Sequence, residues 1–149
     1  MSHVPVMLSE CLNALNLQTG HWYIDGTFGA GGHTKALLEK NVNVLAIDQD
    51  TNVQETVNDF KKTYGERFKF AKGNFRELDT LAREAGLESV SGILLDIGVS
   101  SMQIDNAERG FAFRHNGPLD MRMSDSGDSA ADVVNSLDQE ELAAIIYKY

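Results

Sequence analysis

The sequence predicts an α/β fold built on a parallel sheet, and three observations support this prediction. Four apolar runs between residues 22 and 96 are separated by segments with helical spacing. Three of these runs end in an acidic residue, at Asp25, Asp48 and Asp96. A glycine-rich turn connects the first run to the first of the intervening helices. Alternating strands and helices form βαβ units, whose sheets bind ligands beyond the carboxyl ends of the strands.

The predicted elements follow from these periods. We expect strands at residues 22–25, 42–47, 68–71 and 91–96. We expect helices at residues 5–15, 33–40, 52–62, 77–85 and 129–135, and a last helix from residue 138. Pro5 suits a first helical turn, Asp50 or Thr51 suits the N-cap of the helix at residues 52–62, and Asp138 suits that of the last helix. Residues 97–128 have no clear period and predict a loop longer than compact domains normally contain.

Residues 22–33 are the stretch around which the chain is organised. An apolar run ends at Asp25, four glycines follow within seven residues, and a helical pattern begins near His33. Glycine permits positive φ and lets the backbone approach a ligand closely. The start of a helix presents N–H groups and a partial positive charge. A turn that binds a ligand is therefore expected here, and a purely structural turn is the alternative.

Two classes of ligand use such a turn. The dinucleotide pattern Gly-x-Gly-x-x-Gly, counted from Gly29, meets Thr34 in the place of the third glycine. The other pattern is an acidic residue, three further residues and Gly-x-Gly, which Asp25, Gly29 and Gly31 match. This second pattern resembles the first motif of class I S-adenosylmethionine-dependent methyltransferases. It favours a methyl-donor site over a dinucleotide site.

Residues near the predicted strand ends are further candidates for binding. Asp48 follows Gly29 by nineteen residues, where an acid accepts hydrogen bonds from ribose hydroxyls; a helix cap or solvated turn is the alternative. Phe75, beyond the third strand, can contact an adenine ring or pack in the core. Asp96 can orient the donor's amino-acid portion or an incoming amine. His33 can cap the following helix or contact the donor's carboxylate.

Composition limits the classes of function. The net charge is −9 with a pI near 4.8, which disfavours non-specific nucleic-acid binding and requires an RNA ligand to meet a local patch or a partner. A single cysteine fits a reducing cytoplasm, where we place the protein. No apolar run reaches the length of a membrane span, so no membrane partner is expected. The four histidines lack metal-ligand spacing, so no metal site is predicted.

Several long motifs stand in a fixed order and carry a specific resemblance. They are Asp25-Gly-Thr-Phe-Gly-Ala-Gly-Gly-His33, Leu95–Asp105, Arg109–Phe113, Gly117–Met123, Ser129–Asn135 and the opening His3-Val-Pro-Val-Met-Leu8. Over essentially the whole chain they resemble the MraW family of small-subunit ribosomal RNA methyltransferases. The resemblance implies methylation of N4 of a cytidine in the decoding region, with S-adenosylmethionine as the methyl donor and the small ribosomal subunit as the partner.

The resemblance also implies donor-binding residues, carried over by position. These are Gly31, Gly32, His33, Asp48, Phe75, Asp96 and Gln103. It implies no general base, and the catalytic residues stay unknown. The loop from Arg109 to Met123 matches a segment that flanks the family's active site. Because its charges nearly balance, contact with phosphate and an internally paired structural loop are equal alternatives.

Length is the one departure from the family, whose members are about twice as long as this chain. We expect residues 1–105 to form the donor-binding Rossmann-like core and residues 106–149 to form the active-site loop and the start of a helical insertion. With four strands the class I methyltransferase sheet would be incomplete, which predicts weak catalysis and a possible homodimer through an exposed apolar edge. A donor-binding domain without activity and a nucleotide-dependent oxidoreductase are the alternative functions.

Overall fold

The structure is a computed structural model that describes residues 5–149. These residues form two compact units, and the division in the sequence falls between Gly98 and Val99. His3 and Val4 of the opening motif lie outside the described residues.

The first unit is built on a four-stranded parallel sheet. Its strands are β1 (Trp22–Asp25), β2 (Asn43–Asp48), β3 (Phe68–Lys72) and β4 (Gly92–Leu94). Their order across the sheet is β3-β2-β1-β4, and all three pairings are parallel. The predicted parallel α/β sheet is confirmed. The strand order reverses between β1 and β4, and this is where open α/β sheets bind ligands.

Four helices accompany this sheet. They are α1 (Leu8–Ala14), α2 (Gly32–Leu38), α3 (Gln54–Tyr64) and α4 (Leu78–Glu84). The prediction that Asp50 is an N-cap is confirmed, because its side chain accepts the Asn52 N–H at 3.0 Å. The prediction that Pro5 lies in the first helical turn is wrong. The helix begins at Leu8, because Met7 has a φ of 51°, in the left-handed region that interrupts a right-handed helix.

Apolar side chains cover both faces of the sheet. On one face Ile24, Leu45 and Ile47 pack with Ala82 of α4. On the other face lies an aromatic cluster formed by Phe28, Phe60, Phe68 and Phe70, in which Phe28 lies 5.3–5.8 Å from each of the other three ring centroids. Alternate residues of a strand point to opposite faces, so each strand contributes to both layers. The strands, and with them their carboxyl ends, are therefore held in place by apolar packing on both faces of the sheet.

Strand β4 is shorter than the sequence predicts. The predicted span of residues 91–96 is wrong, since only Gly92–Leu94 pair with β1. The partner strand β1 ends at Asp25, opposite Leu94, and the Asp96 N–H donates to Thr27 Oγ1 of the following turn. Within residues 5–149 β4 pairs with β1 alone, and Ile93 and Leu95 remain 43% and 40% exposed. Such an apolar edge is prone to association.

The second unit contains three further helices. They are α5 (Ser101–Asp105), α6 (Ala130–Ser136) and α7 (Gln139–Lys148). Each begins with a capping box, formed by the pairs Ser100–Gln103, Ser129–Asp132 and Asp138–Glu141. The predicted cap at Asp138 is thus confirmed, whereas α5 corrects the expectation that residues 97–128 lack regular structure. No helix within residues 5–149 is long and apolar enough to cross a membrane.

Candidate functional site

The glycine-rich turn between β1 and α2 is fixed by both neighbours of β1. On the β2 side the Phe28 N–H donates to the Ile47 carbonyl at 3.1 Å. One residue later the Gly29 N–H donates to the Asp48 carboxylate at 2.7 Å. On the other side the Gly26 N–H donates to the last carbonyl of β4 at 2.9 Å. The turn is therefore held at the switch point of the sheet.

Asp48 has a second structural contact besides the turn. Its Oδ2 accepts the Gly29 N–H, and its Oδ1 accepts the Asp50 N–H at 2.9 Å. A carboxylate has about four lone-pair positions, so two donors leave capacity for further hydrogen bonds. The side chain is also half-buried rather than enclosed. Asp48 thus stabilises the turn, as expected for a purely structural residue. It also keeps the free acceptor positions that ribose hydroxyls require.

Asp25, the acid of the turn motif, supports the turn from beneath. Its carboxylate is fully buried and accepts the Thr27 N–H at 3.1 Å and the Thr34 hydroxyl at 2.7 Å. Burial raises the pKa of Asp25, and the hydrogen bonds from Thr34 and Thr27 oppose that rise. Thr34 stands where a dinucleotide fingerprint has its third glycine. Its hydroxyl explains why a threonine suits this position here.

Gly31 and Gly32 are required by packing as well as by the turn. Gly31 has a φ of +77°, and a Cβ at this position would lie 2.7 Å from Phe60 Cζ. A Cβ on Gly32 would lie 2.4 Å from Pro5 Cγ. A Cβ on Gly31 would extend in the direction of Phe60 and Phe28. That direction points into the aromatic cluster.

Two elements of the first unit meet at Asp96. Its main-chain N–H donates to Thr27 Oγ1 at 2.8 Å, which joins the segment after β4 to the glycine turn. Its Oδ2 lies 4.0 Å from Nδ1 of the buried His33. The other ring nitrogen, Nε2, lies 3.1 Å from the Val6 carbonyl. His33 does not cap α2, and its ring lies between Val6 and Asp96.

Phe75 lies beside the same turn. It is half-buried, and its Cβ lies 3.2 Å from the position that a Cβ on Gly26 would occupy. Asn74 caps the turn that begins at Phe75, and its amide donates to Gln49 Oε1 at 3.1 Å. The loops after β2 and β3 are thereby linked. Phe75 keeps an exposed part at the position where the sequence predicts an aromatic contact.

Gln103 belongs to the second unit. It is buried, its N–H donates to Ser100 Oγ at 3.2 Å, and its Oε1 accepts the Ser100 N–H at 2.9 Å. These contacts form the capping box of α5. They give Gln103 a local structural role, and its predicted role toward the donor remains a prediction.

The arginines of the second unit have partners within that unit. Arg122 makes a forked contact with Asp120, with Nη2 at 2.6 Å from Oδ2. This contact lowers the pKa of Asp120 to about 2. Arg114 pairs with Asp105, and the Arg109 guanidinium donates to the Arg122 carbonyl at 2.8 Å. These contacts correspond to the internally paired loop that the charge balance allows.

Six of the seven predicted donor residues lie in the first unit, and Gln103 lies in the second. The structure brings His33 to Asp96 and Asp48 to the glycine turn. Sequence reasoning missed Thr27, Phe28 and the Val6 carbonyl, all of which fix these residues. A polar residue between glycines only weakly indicates a structural role, which is the one signal for Thr27 in the sequence. A contact through a main-chain carbonyl, such as that of Val6, gives no signal in the sequence. Among residues 5–149 no three histidine, cysteine or carboxylate side chains gather as a metal site.

Known proteins resemble this chain over nearly its whole length. The sequence model of the MraW methylase family matches residues 1–149. Proteins named ribosomal RNA small subunit methyltransferase H are 52% identical in Rickettsia massiliae, over 149 residues, and 51% identical in Maricaulis maris, over 148 residues. These alignments cover 99% of this chain and 48% and 44% of the relatives. The chain thus spans about half the length of the curated relatives it matches.

One solved structure is similar in fold. It is the C-terminal domain of precorrin-6Y C5,15-methyltransferase from Rhodobacter capsulatus, with 20% sequence identity and a TM-score of 0.51. The match covers 64% of this chain and 50% of that chain. At this identity the likeness supports the Rossmann-like fold alone.

Proposed function

The chain belongs to the MraW methylase family, and on this premise we propose that its first unit binds S-adenosylmethionine at the carboxyl ends of β1, β2 and β4. The residues we assign to the donor are Gly31, Gly32, His33, Asp48, Phe75 and Asp96, with Gln103 added from the second unit. In this proposal residues 1–105 bind the donor, and residues 106–149 belong to the acceptor side.

The observation that carries the proposal is the contact between Gly29 and Asp48. One acid both holds the glycine turn, through a 2.7 Å hydrogen bond, and keeps acceptor capacity at the end of the neighbouring strand. Nucleotide-binding βαβ units use an acid at this position for ribose hydroxyls. The turn beside it provides main-chain atoms at the switch point. The two usual elements of nucleoside recognition, a glycine-rich turn and an acid at the end of the neighbouring strand, therefore lie side by side.

The charge of this region also fits a methyl donor. S-adenosylmethionine carries a sulfonium and an ammonium group, and Asp48 and Asp96 bring two carboxylates to the strand ends. Opposite charges in close contact attract each other most strongly where water is partly excluded. Thr34, in place of the third glycine of a dinucleotide fingerprint, weakens the oxidoreductase alternative.

We propose that the methyl group goes to N4 of a cytidine in small-subunit ribosomal RNA. The bound donor would supply an electrophilic methyl group. The cytosine amine is a poor nucleophile, because its lone pair is delocalised into the ring, so catalysis would depend mainly on placing the amine in line with that group. Asp96, which follows the last residue of β4 by two positions and has a 56% exposed side chain, can accept a hydrogen bond from the amine.

Recognition of RNA would depend on the assembled small subunit in a reducing cytoplasm. The net charge of −9 provides little general attraction for phosphate, and Arg114 and Arg122 are paired with carboxylates. We therefore expect weak binding to free RNA and stronger binding to the subunit. Because apolar residues at the edge formed by β4 are exposed, we still predict a homodimer. Light scattering tests this prediction.

Two assays test the proposed function. Calorimetry should detect binding of S-adenosylhomocysteine and none of NAD; the reverse result would favour the oxidoreductase alternative. A methyl-transfer assay on unmethylated small subunits should then give N4-methylcytidine with this chain, at a low rate. Donor binding by this chain without any transfer would favour the inactive-domain alternative. Absence of any S-adenosylhomocysteine binding would contradict the proposal.

A further inference from the structure

Within the proposed donor site, the ring of His33 is held by a main-chain carbonyl. Its Nε2 lies 3.1 Å from the Val6 oxygen, which is within hydrogen-bond range. A carbonyl oxygen only accepts hydrogen bonds, so Nε2 must carry the hydrogen. In the neutral ring Nδ1 is then an acceptor. The contact with Val6 therefore determines what the ring presents on its other side.

The segment that supplies this carbonyl is itself built for the contact. Pro5 packs on Gly32, where any Cβ would lie 2.4 Å from Pro5 Cγ. Met7 adopts a left-handed φ of 51°, which is unfavourable for a side chain of its size. Val6 and Met7 are 64% and 63% exposed, so burial of their side chains does not account for this conformation. In the structure this conformation places the Val6 carbonyl oxygen next to the His33 ring.

The other side of the ring faces a second acceptor. Nδ1 of His33 lies 4.0 Å from Oδ2 of Asp96, and an ionised carboxylate has no hydrogen to donate. The carboxylates around the ring are Asp96 and, beneath the turn, the buried Asp25. Asp25 already accepts hydrogen bonds from Thr27 and Thr34, whereas the 4.0 Å separation of His33 Nδ1 and Asp96 Oδ2 leaves room for a shared donor.

The separation fits one nitrogen that donates to both atoms. Two charge-assisted hydrogen bonds of about 2.8 Å would span the gap with an angle of roughly 90° at that nitrogen. A primary ammonium group has three hydrogens and accepts none, which suits a pair of acceptors. A carboxylate would instead be repelled by Asp96 and would find no hydrogen on Nδ1.

We propose that Val6 holds His33 in the Nε2–H tautomer, and that Nδ1 of His33 and Oδ2 of Asp96 together bind the primary ammonium group of the donor's amino-acid portion. This inference rests on the proposed function. It reverses the expectation that His33 contacts the donor's carboxylate. It also makes residues 5–7 a positioning segment of the site.

The tautomer is tested without any ligand. Long-range ¹H–¹⁵N spectra of the ¹⁵N-histidine-labelled chain at about pH 8, where an ordinary histidine is neutral, distinguish the two ring nitrogens. We expect His33, assigned through the variant His33→Asn, to carry its hydrogen on Nε2. Gly32→Ala should change the tautomer population because the new Cβ displaces Pro5. Gly98→Ala, at a glycine with nothing within 4 Å, should leave it unchanged. A hydrogen on Nδ1 of the wild-type ring would overturn the inference.

The ammonium contact is tested by comparing two probes, S-adenosylhomocysteine and its deaminated analogue. His33→Leu should weaken the first about tenfold, as expected for loss of a charge-assisted hydrogen bond, and change the second less than about twofold. His33→Asn, which keeps an acceptor near the Nδ1 position, should restore most of the affinity for S-adenosylhomocysteine.

The matched control for these variants is His21→Leu. His21 contacts Ser91 at the amino ends of the strands, so its loss should leave both affinities unchanged. Equal weakening of the two probes by His33→Leu would contradict the ammonium contact while leaving donor binding intact. A wild-type chain that binds neither probe would contradict the proposed function itself, and the spectra would still report the tautomer.

Discussion

The main-chain N–H of Asp96 donates to the Thr27 hydroxyl oxygen at 2.8 Å, although the two residues are 69 positions apart. This hydrogen bond joins the segment after β4 to the glycine turn after β1. It lies just beyond the last paired residues of the two strands, Asp25 and Leu94, and holds the backbone that carries the Asp96 carboxylate. Thr27 is thus a structural link between the two sides of the switch point.

Replacement of Thr27 tests this link. Thr27→Val keeps the shape of the side chain but removes the acceptor, so we expect a loss of about 0.5–1.5 kcal/mol in unfolding free energy and weaker binding of S-adenosylhomocysteine. Urea denaturation and calorimetry measure the two effects. Thr63→Val, on the exposed side of α3, removes a comparable hydroxyl and should leave donor affinity unchanged. Equal donor affinities for all three proteins would remove Thr27 from the site.

Asp48 should affect both the turn and the ligand. Asp48→Ala removes the acceptor of the Gly29 N–H together with the proposed ribose acceptor, and we expect a loss of about 1.5–3 kcal/mol in donor binding, roughly ten- to a hundredfold. Asp59→Ala removes an exposed carboxylate of α3 that lies 3.6 Å from Lys62 and serves as the control. Normal affinity in Asp48→Ala would mean that the acid only supports the turn.

Gly31 should be sensitive to substitution because of packing. Gly31→Ala forces a Cβ to within 2.7 Å of Phe60 and places alanine at a φ of +77°. The left-handed conformation costs about 1–2 kcal/mol, and overpacking adds about 1–3 kcal/mol. Gly20→Ala has a similar φ of +79° with nothing within 4 Å, so it isolates the backbone term. Denaturation curves that show equal losses for both variants would contradict the packing role of Phe60.

Two aspartates should give opposite pH dependences of stability. Burial raises the pKa of Asp25 above its ordinary 3.8, so the folded state holds this proton more tightly than the unfolded state does. Its contribution is fully present below about 3.8 and is lost as the pH rises through the folded pKa. The forked contact with Arg122 lowers the pKa of Asp120 to about 2, so its contribution is present above 3.8 and is lost as the pH falls toward 2.

The corresponding asparagine variants make this measurable. The unfolding free energy of wild type minus that of Asp25→Asn should fall as the pH rises from about 3.8. The same difference for Asp120→Asn should rise as the pH increases from about 2 toward 3.8. Denaturant titrations across the acid range give both slopes. Slopes of the same sign would show that the two carboxyl groups are not in the environments described.

The sequence was sufficient for the parallel sheet because its signals are local. The apolar runs that became β1, β2 and β3 are bounded by turns and helical segments, and Asp50 precedes a helix in the usual way for a cap. The extent of β4 was not predictable from the run at residues 91–96. Its end is set by the partner strand, because β1 ends at Asp25, opposite Leu94, and this register is decided by the fold and not by the run itself.

The position of the candidate site follows from sequence spacing, whereas the contacts within it do not. The spacing of Asp25, Gly29 and Asp48 indicates a nucleoside site, because all three lie at or just after the predicted strand ends. The partners of these residues did not follow, because Thr34 under Asp25 and the Val6 carbonyl beside His33 are brought in by folding. The direction of the Gly31 Cβ depends likewise on where α3 places Phe60.

The most direct test of the donor site is a crystal structure of this chain with S-adenosylhomocysteine. We expect the ligand along the turn of residues 26–32, with its ribose hydroxyls on the Asp48 carboxylate and its ammonium group between His33 and Asp96. A ligand bound elsewhere on the chain, or one whose ribose makes no contact with Asp48, would contradict the proposed site.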